Sequence, residues 1–219
     1  MAIQIQGNGG TVAEVDGTTF RAMRVVQRPL DHGAFGQYQL STTVPLVVTQ
    51  AANGTLFSFR WADATRVCAI QTIRLEVQQT AAATATIAPV FEVFVARSFS
   101  ASDSAGTALT LTGNSFKKRT SMGSTLVTDI RKSAVAAGLT VGTRTLDGDA
   151  LMQLSTIQTI TNVNTTTYSK TVDFTDGMDH PLLLSTNEGF IVRGPTVVFG
   201  AAGTANLLVE LQWVELATY

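Results

Sequence analysis

The run LLVELQWVEL, Leu207–Leu216, sets Val209, Leu211 and Trp213 in step and Glu210 and Gln212 out of step. Successive side chains on a strand point to opposite faces, so this period of two predicts a strand with one buried face. Glu188–Arg193 and Arg74–Val77 repeat the pattern upstream. Between such runs the chain is rich in Thr, Ala and Gly and poor in residue types that do chemistry. The expected molecule is a sandwich of strands that holds a surface.

Working outward, Asn53-Gly54 marks a tight turn. It leads into Thr55–Trp61, where Phe57, Phe59 and Trp61 share a face. Arg66–Thr80 follows as a long strand, expected to bury Val67, Ala69, Ile73, Leu75 and Val77 and to expose Arg74, Glu76 and Gln78. Thr19–Arg28, Gln37–Thr43, Leu46–Thr49, Val90–Ser98, Thr107–Thr112 and Thr140–Leu146 read as further strands. So do Ile157–Val163, Thr167–Phe174, Leu182–Leu184, Gly189–Arg193 and Val197–Phe199. Pro45 is expected to separate two of them. Ser115–Ala137 fits no single period and reads as a long irregular loop, with a helical turn near Thr128–Ser133. Met1–Thr18 is polar and Gly-rich and reads as an extended N-terminal arm. The prediction is therefore an all-β chain: an arm over 1–18 and one antiparallel, jelly-roll-like β-sandwich over 19–219.

Lys+Arg number 15 and Asp+Glu 16, so no basic surface for nucleic acid is expected. Only 14% of residues are charged, against about 25% in ordinary soluble domains. Val77–Phe91, Ala150–Ser169 and Gly194–Val209 carry no charge at all. Such stretches serve as neutral surface on a monomer or as surface covered in an assembly. Interface cores are depleted in charge, which favours the second reading. No run reaches the ~18–20 apolar residues of a membrane span. The start, MAIQIQGNGG, has neither the basic nor the apolar region of a signal peptide, so synthesis in a cytosol-like compartment is expected.

Candidate chemistry is sparse. Cys68 is the single cysteine and sits in an apolar run, as a small core residue would. His32 and His180 each follow an Asp, in Leu-Asp-His-Gly and Met-Asp-His-Pro, and read as turn residues without a nucleophile at known spacing. Asp31, His32, Asp179 and His180 have no metal-site spacing. Asp147-Gly-Asp149 and Asp173…Asp176-Gly177 lack the remaining ligands of a calcium loop and read as turns. Lys117-Lys-Arg119 is one basic triplet, read as solvated or partner-facing. No catalytic, cofactor-binding or metal-binding residue is nominated, and no cofactor is expected.

Gly54–Asp63 (GTLFSFRWAD), Ala96–Gly106 (ARSFSASDSAG) with Thr110–Lys117, and Arg119–Met122 (RTSM) resemble a family of tailed-bacteriophage capsid cement, or head decoration, proteins. Glu188–Arg193, Gly200–Thr204 and Trp213-Val-Glu215 carry the same resemblance. It implies a structural, non-enzymatic virion protein on the outer surface of the capsid, made in the host bacterial cytoplasm. Its implied partners are the major capsid protein and further copies of itself, as a dimer or trimer, with no nucleic acid and no membrane. The alternative is a phage tail or receptor-binding β-sandwich that recognises host surface glycans. An enzyme on a jelly-roll scaffold would need a metal cluster that two histidines do not supply.

Overall fold

The computed structural model describes residues 15–16, 22–23, 36–47, 50–134, 138–160, 167–174, 181–194 and 203–217. In chain order the strands are β1 (Val15–Asp16), β2 (Ala22–Met23), β3 (Gln37–Val47), β4 (Thr55–Arg60) and β5 (Val67–Ala81). Then come β6 (Val90–Phe99), β7 (Thr107–Ala108), β8 (Asp129–Lys132), β9 (Arg144–Leu146) and β10 (Met152–Ser155). β11 (Thr167–Asp173), β12 (Leu182–Leu184), β13 (Gly189–Arg193) and β14 (Thr204–Leu216) complete the series. No helix occurs among the described residues.

The strands form two antiparallel sheets packed as a β-sandwich. One runs β11-β5-β14-β3, with β12 beside β5; the other runs β10-β6-β13-β4-β8-β7, with β9 beside β6. Most neighbours in each sheet are distant in sequence, because the chain crosses between sheets after β3, β4, β5, β10, β12 and β13. β1 and β2 make a separate antiparallel pair. Val15–Asp16 is the described part of the expected 1–18 arm, and Ala22–Met23 that of the expected Thr19–Arg28 strand. The Val197–Phe199 strand lies outside the described residues.

Alternation builds the core. β14 turns Val209, Leu211 and Trp213 inward, all at most 1% exposed, while Glu210 and Gln212 keep partial access to solvent. From the facing sheet come Phe57 and Phe59 of β4, Phe91 and Val93 of β6, and Phe190 and Val192 of β13. Phe59 stacks on Phe190 at 5.2 Å and meets Trp213 edge-on at 5.8 Å, so the rings themselves join the sheets. Such pairs add about 0.5–1.5 kcal/mol beyond the area they bury. Cys68 is fully buried in this core, as its apolar run predicts.

Several expectations need correction. Pro45 does not divide two strands: β3 runs through it, with Pro45 opposite Asn206. β3 is an edge strand, where a missing backbone donor can face away from the ladder. On β5, Ile73, Leu75 and Val77 are buried as expected, but Val67 and Ala69 do not share their face. The register skips Gln71 between Trp213↔Ile70 and Gln212↔Thr72. That β-bulge reverses the parity of the strand, so Cys68 and Ile70 enter the core. Ala69 instead joins Val214 and Leu216 in a small separate cluster, packed by Val67 and Leu183.

The expected helical turn near Thr128–Ser133 is strand β8. Its pairing with Phe57–Arg60 gives Ile130 a buried place opposite Phe59. The Thr107–Thr112 strand shrinks to β7, and Thr140–Leu146 to β9. Of Ile157–Val163, the described residues hold one isolated bridge, Gln158 to Ile87. β10 begins inside an uncharged stretch where no strand was expected.

Glu215, opposite Cys68 on β14, is fully buried. It accepts hydrogen bonds from Thr125 Oγ1 and from Leu126 N at 2.9 Å, which fastens the 115–127 segment to the sandwich. Burial pushes the Glu215 pKa above its ordinary 4.5, against the pull of those hydrogen bonds. Burial and then the Glu215 charge raise the Cys68 thiol as well, and push Tyr38 up to about 12. A carboxyl raised on folding adds stability that is present in full below its unfolded pKa and lost as pH rises through the folded one. Glu215→Gln should therefore gain on the natural protein as pH rises from 4 to 8. Thermal melts at each pH check this, and a difference independent of pH would show that Glu215 does not titrate in that window.

Candidate functional site

Antiparallel register brings four connections to one end of the sandwich. The start of β14 meets the ends of β3 and β5 through Thr204↔Val47 and Thr204↔Ala81. The start of β11 meets the end of β5 through Thr167↔Gln78. In the other sheet, Arg193↔Thr55, Arg193↔Glu92 and Ser155↔Val90 set the same level. The connections leaving this level are 48–54, 82–89, 156–166 and 194–203. None contains Asp, Glu, Lys, Arg or His.

Hydrogen bonds tie these connections together. Ala83 N donates to Thr159 O at 3.1 Å, and Ile87 and Gln158 exchange backbone bonds of 3.2 and 2.9 Å. The Gln79 amide donates to Ala81 O and Thr159 O and accepts from Thr159 N at 2.9 Å. Gly194 N donates to Gly54 O at 2.7 Å. A Cβ at Gly203 would lie 1.9 Å from Gln158 Nε2, so a larger residue there would displace the Gln158 amide. Gln79, Thr156 and Gln158 are buried. Buried polar networks of this kind help hold a surface in one shape. Outside the network, Ile157 and Ile160 stand 47% and 50% exposed.

The opposite end differs. There the β4–β5 corner carries Asp63 and Arg66, and the turn before β13 carries Glu188. Asp63 accepts from Thr65 N and Arg66 N at 2.8 and 2.9 Å, and the first of these bonds is the main cause of its lowered pKa. At the first end, by contrast, the four connections are free of charge and Arg193, at their level, is paired with Glu92.

The four uncharged connections hold no Asp, Glu, Lys, Arg or His. Their described residues offer a neutral surface with two projecting isoleucines. A partner with matching apolar and amide groups can cover it without desolvating a charge.

The residues singled out in the sequence fall elsewhere. His32, His180 and Asp176-Gly177 lie outside the described residues. Asp147 is held by Arg97 through bonds of 2.7–3.2 Å, which occupy the carboxylate of the Asp147-Gly-Asp149 turn. Among the described residues no group of three or more His, Cys, Asp or Glu is placed to hold a metal ion. No helix among them is long and apolar enough to cross a membrane. Lys117 forms a bridge to Tyr38, while Phe116 O and Lys118 N bond to Gln39 and Gln37 along the edge of β3. Within the Ser115–Ala137 region, residues 116–118 therefore cover a sheet edge, and Thr125 and Leu126 anchor on Glu215.

The described parts of the three uncharged stretches found in the sequence meet in space. The fourth connection, 48–54, was missed, although Gln37–Phe59 is free of charge throughout. Its strand pattern had drawn attention to Phe57 and Phe59 and away from its charge.

No family model and no curated protein matches the chain. A chain in a solved structure of infectious bursal disease virus, Gx strain, aligns at 11% identity with a TM-score of 0.13. The alignment covers 83% of this chain and 38% of that one, and a likeness so low carries no argument.

Proposed function

We propose that this chain is a structural virion protein of the cement type, which packs its uncharged end against an assembled protein lattice and stabilises a phage head. The observation that carries the reading is the meeting of four charge-free connections, with Ile157 and Ile160 exposed, at one end of a rigid sandwich. The phage assignment draws on the sequence resemblance. We read the strand order, β3-β14-β5-β11 facing β10-β6-β13-β4-β8-β7, as jelly-roll-like, which supports the proposal. Many copies on a repeating lattice let a modest contact hold through multivalency.

Binding only the assembled lattice stabilises that state by mass action. Heads lacking the protein should rupture at a lower temperature, and adding purified protein back should restore them. Attachment should change little with salt, because the four connections carry no charge and Arg193, at their level, is already paired with Glu92. Unchanged rupture of depleted heads, or labelling confined to the tail, would reject the proposal.

A further inference from the structure

On the outer face of the smaller sheet, away from the uncharged end, lies an open groove of about 470 Å³. Its floor is a grid of two rows set by register. Gln39, Gln212 and Thr72 lie side by side across β3, β14 and β5, and Ser41, Glu210 and Arg74 form the next row. The rows are two residues apart on the same face, roughly 7 Å, and the strands about 4.8 Å apart. Ser115 and Phe116 stand over one side, held there by the bond from Gln39 N to Phe116 O at 2.9 Å.

The charged members of the groove already serve one another. Arg74 binds Glu210 at 2.8 Å and also pairs with Glu76. Within the lining one guanidinium faces one carboxylate, with Glu76 beside the pair and Lys117 and Lys118 next to Phe116, so the groove presents no excess of either sign to select an ion. The neutral members are unemployed. The side chains of Gln39, Ser41, Thr72, Ser115 and Gln212 make no hydrogen bond to protein among the described residues. Amides and hydroxyls both donate and accept, as sugar hydroxyls do. Phe116 offers an apolar flank to the C–H face of a ring, and the volume lies in the range of small-ligand sites.

We infer that this groove between Phe116 and the Gln39–Gln212–Thr72 row binds a neutral hexose unit of a carbohydrate. The proposal is independent of lattice docking, which uses a different end of the molecule. The experiment is a ¹H–¹⁵N NMR titration of the full chain with lactose, maltose and cellobiose, with a sulfated disaccharide as the charged control. At least one neutral disaccharide should give saturable millimolar shifts centred on the amides of Gln39, Gln212 and Phe116. Gln212→Ala should weaken that binding about tenfold, as loss of a hydrogen bond or two would. Phe116→Ala should weaken it as well, with unchanged shifts elsewhere showing that the fold is kept. No saturable shift with any neutral sugar overturns the inference. So do shifts centred elsewhere, affinity unchanged in both variants, or preference for the sulfated control.

Discussion

Trp213→Ala should lower the stability of the chain by about 3–5 kcal/mol, the cost of emptying a large buried aromatic site. Trp213 is wholly buried, lies 5.7 Å from Tyr38 in its own sheet and meets Phe59 of the opposite sheet edge-on. Its removal opens a void where the two sheets touch, and neither backbone can close it without breaking ladder pairs on both sides of β14. Equilibrium denaturation should show a lower midpoint with an unchanged slope. Gln212→Ala, one residue away but on the outer face, should move the midpoint little. A midpoint unchanged in Trp213→Ala would mean that the ring does not join the sheets.

That residue was legible in the sequence for a physical reason. The outer face of β14 is open enough to keep Glu210 and Gln212 polar, so burial on one face alone wrote the period of two. β5 was read correctly only beyond its bulge. Cys68 and Ile70 reach the core because the register skips Gln71, and no local pattern marks that skip. β8 was invisible because Asp129–Lys132 is short and gains its strand conformation from pairing with β4. The uncharged stretches were legible one at a time. Their meeting was not, because it depends on a strand order in which neighbours are far apart along the chain. The groove was missed for a related reason: its rows take one residue from each of three strands, and Phe116 reaches it from a segment without periodicity.

Ile157→Asp and Ile160→Asp should each leave the isolated fold unchanged and weaken attachment to the lattice about thirtyfold or more. Both side chains are about half exposed in the free chain, so an aspartate there stays hydrated and costs the monomer little. In the docked state the same carboxylate would be stripped of water against a neutral surface. An unpaired charge buried at an interface costs roughly 2–5 kcal/mol, and each 1.4 kcal/mol is a factor of ten in affinity. Ala64→Asp sets the comparison, since it adds the same charge at an exposed position beside Asp63 on the opposite end. Its attachment should match the natural protein. Added salt should not rescue the isoleucine variants, because desolvation rather than long-range repulsion excludes them. Melting curves matching the natural protein, with attachment lost only in those two variants, would place the docking surface at the uncharged end. Equal attachment of all three would move it elsewhere and leave the uncharged connections without their proposed role.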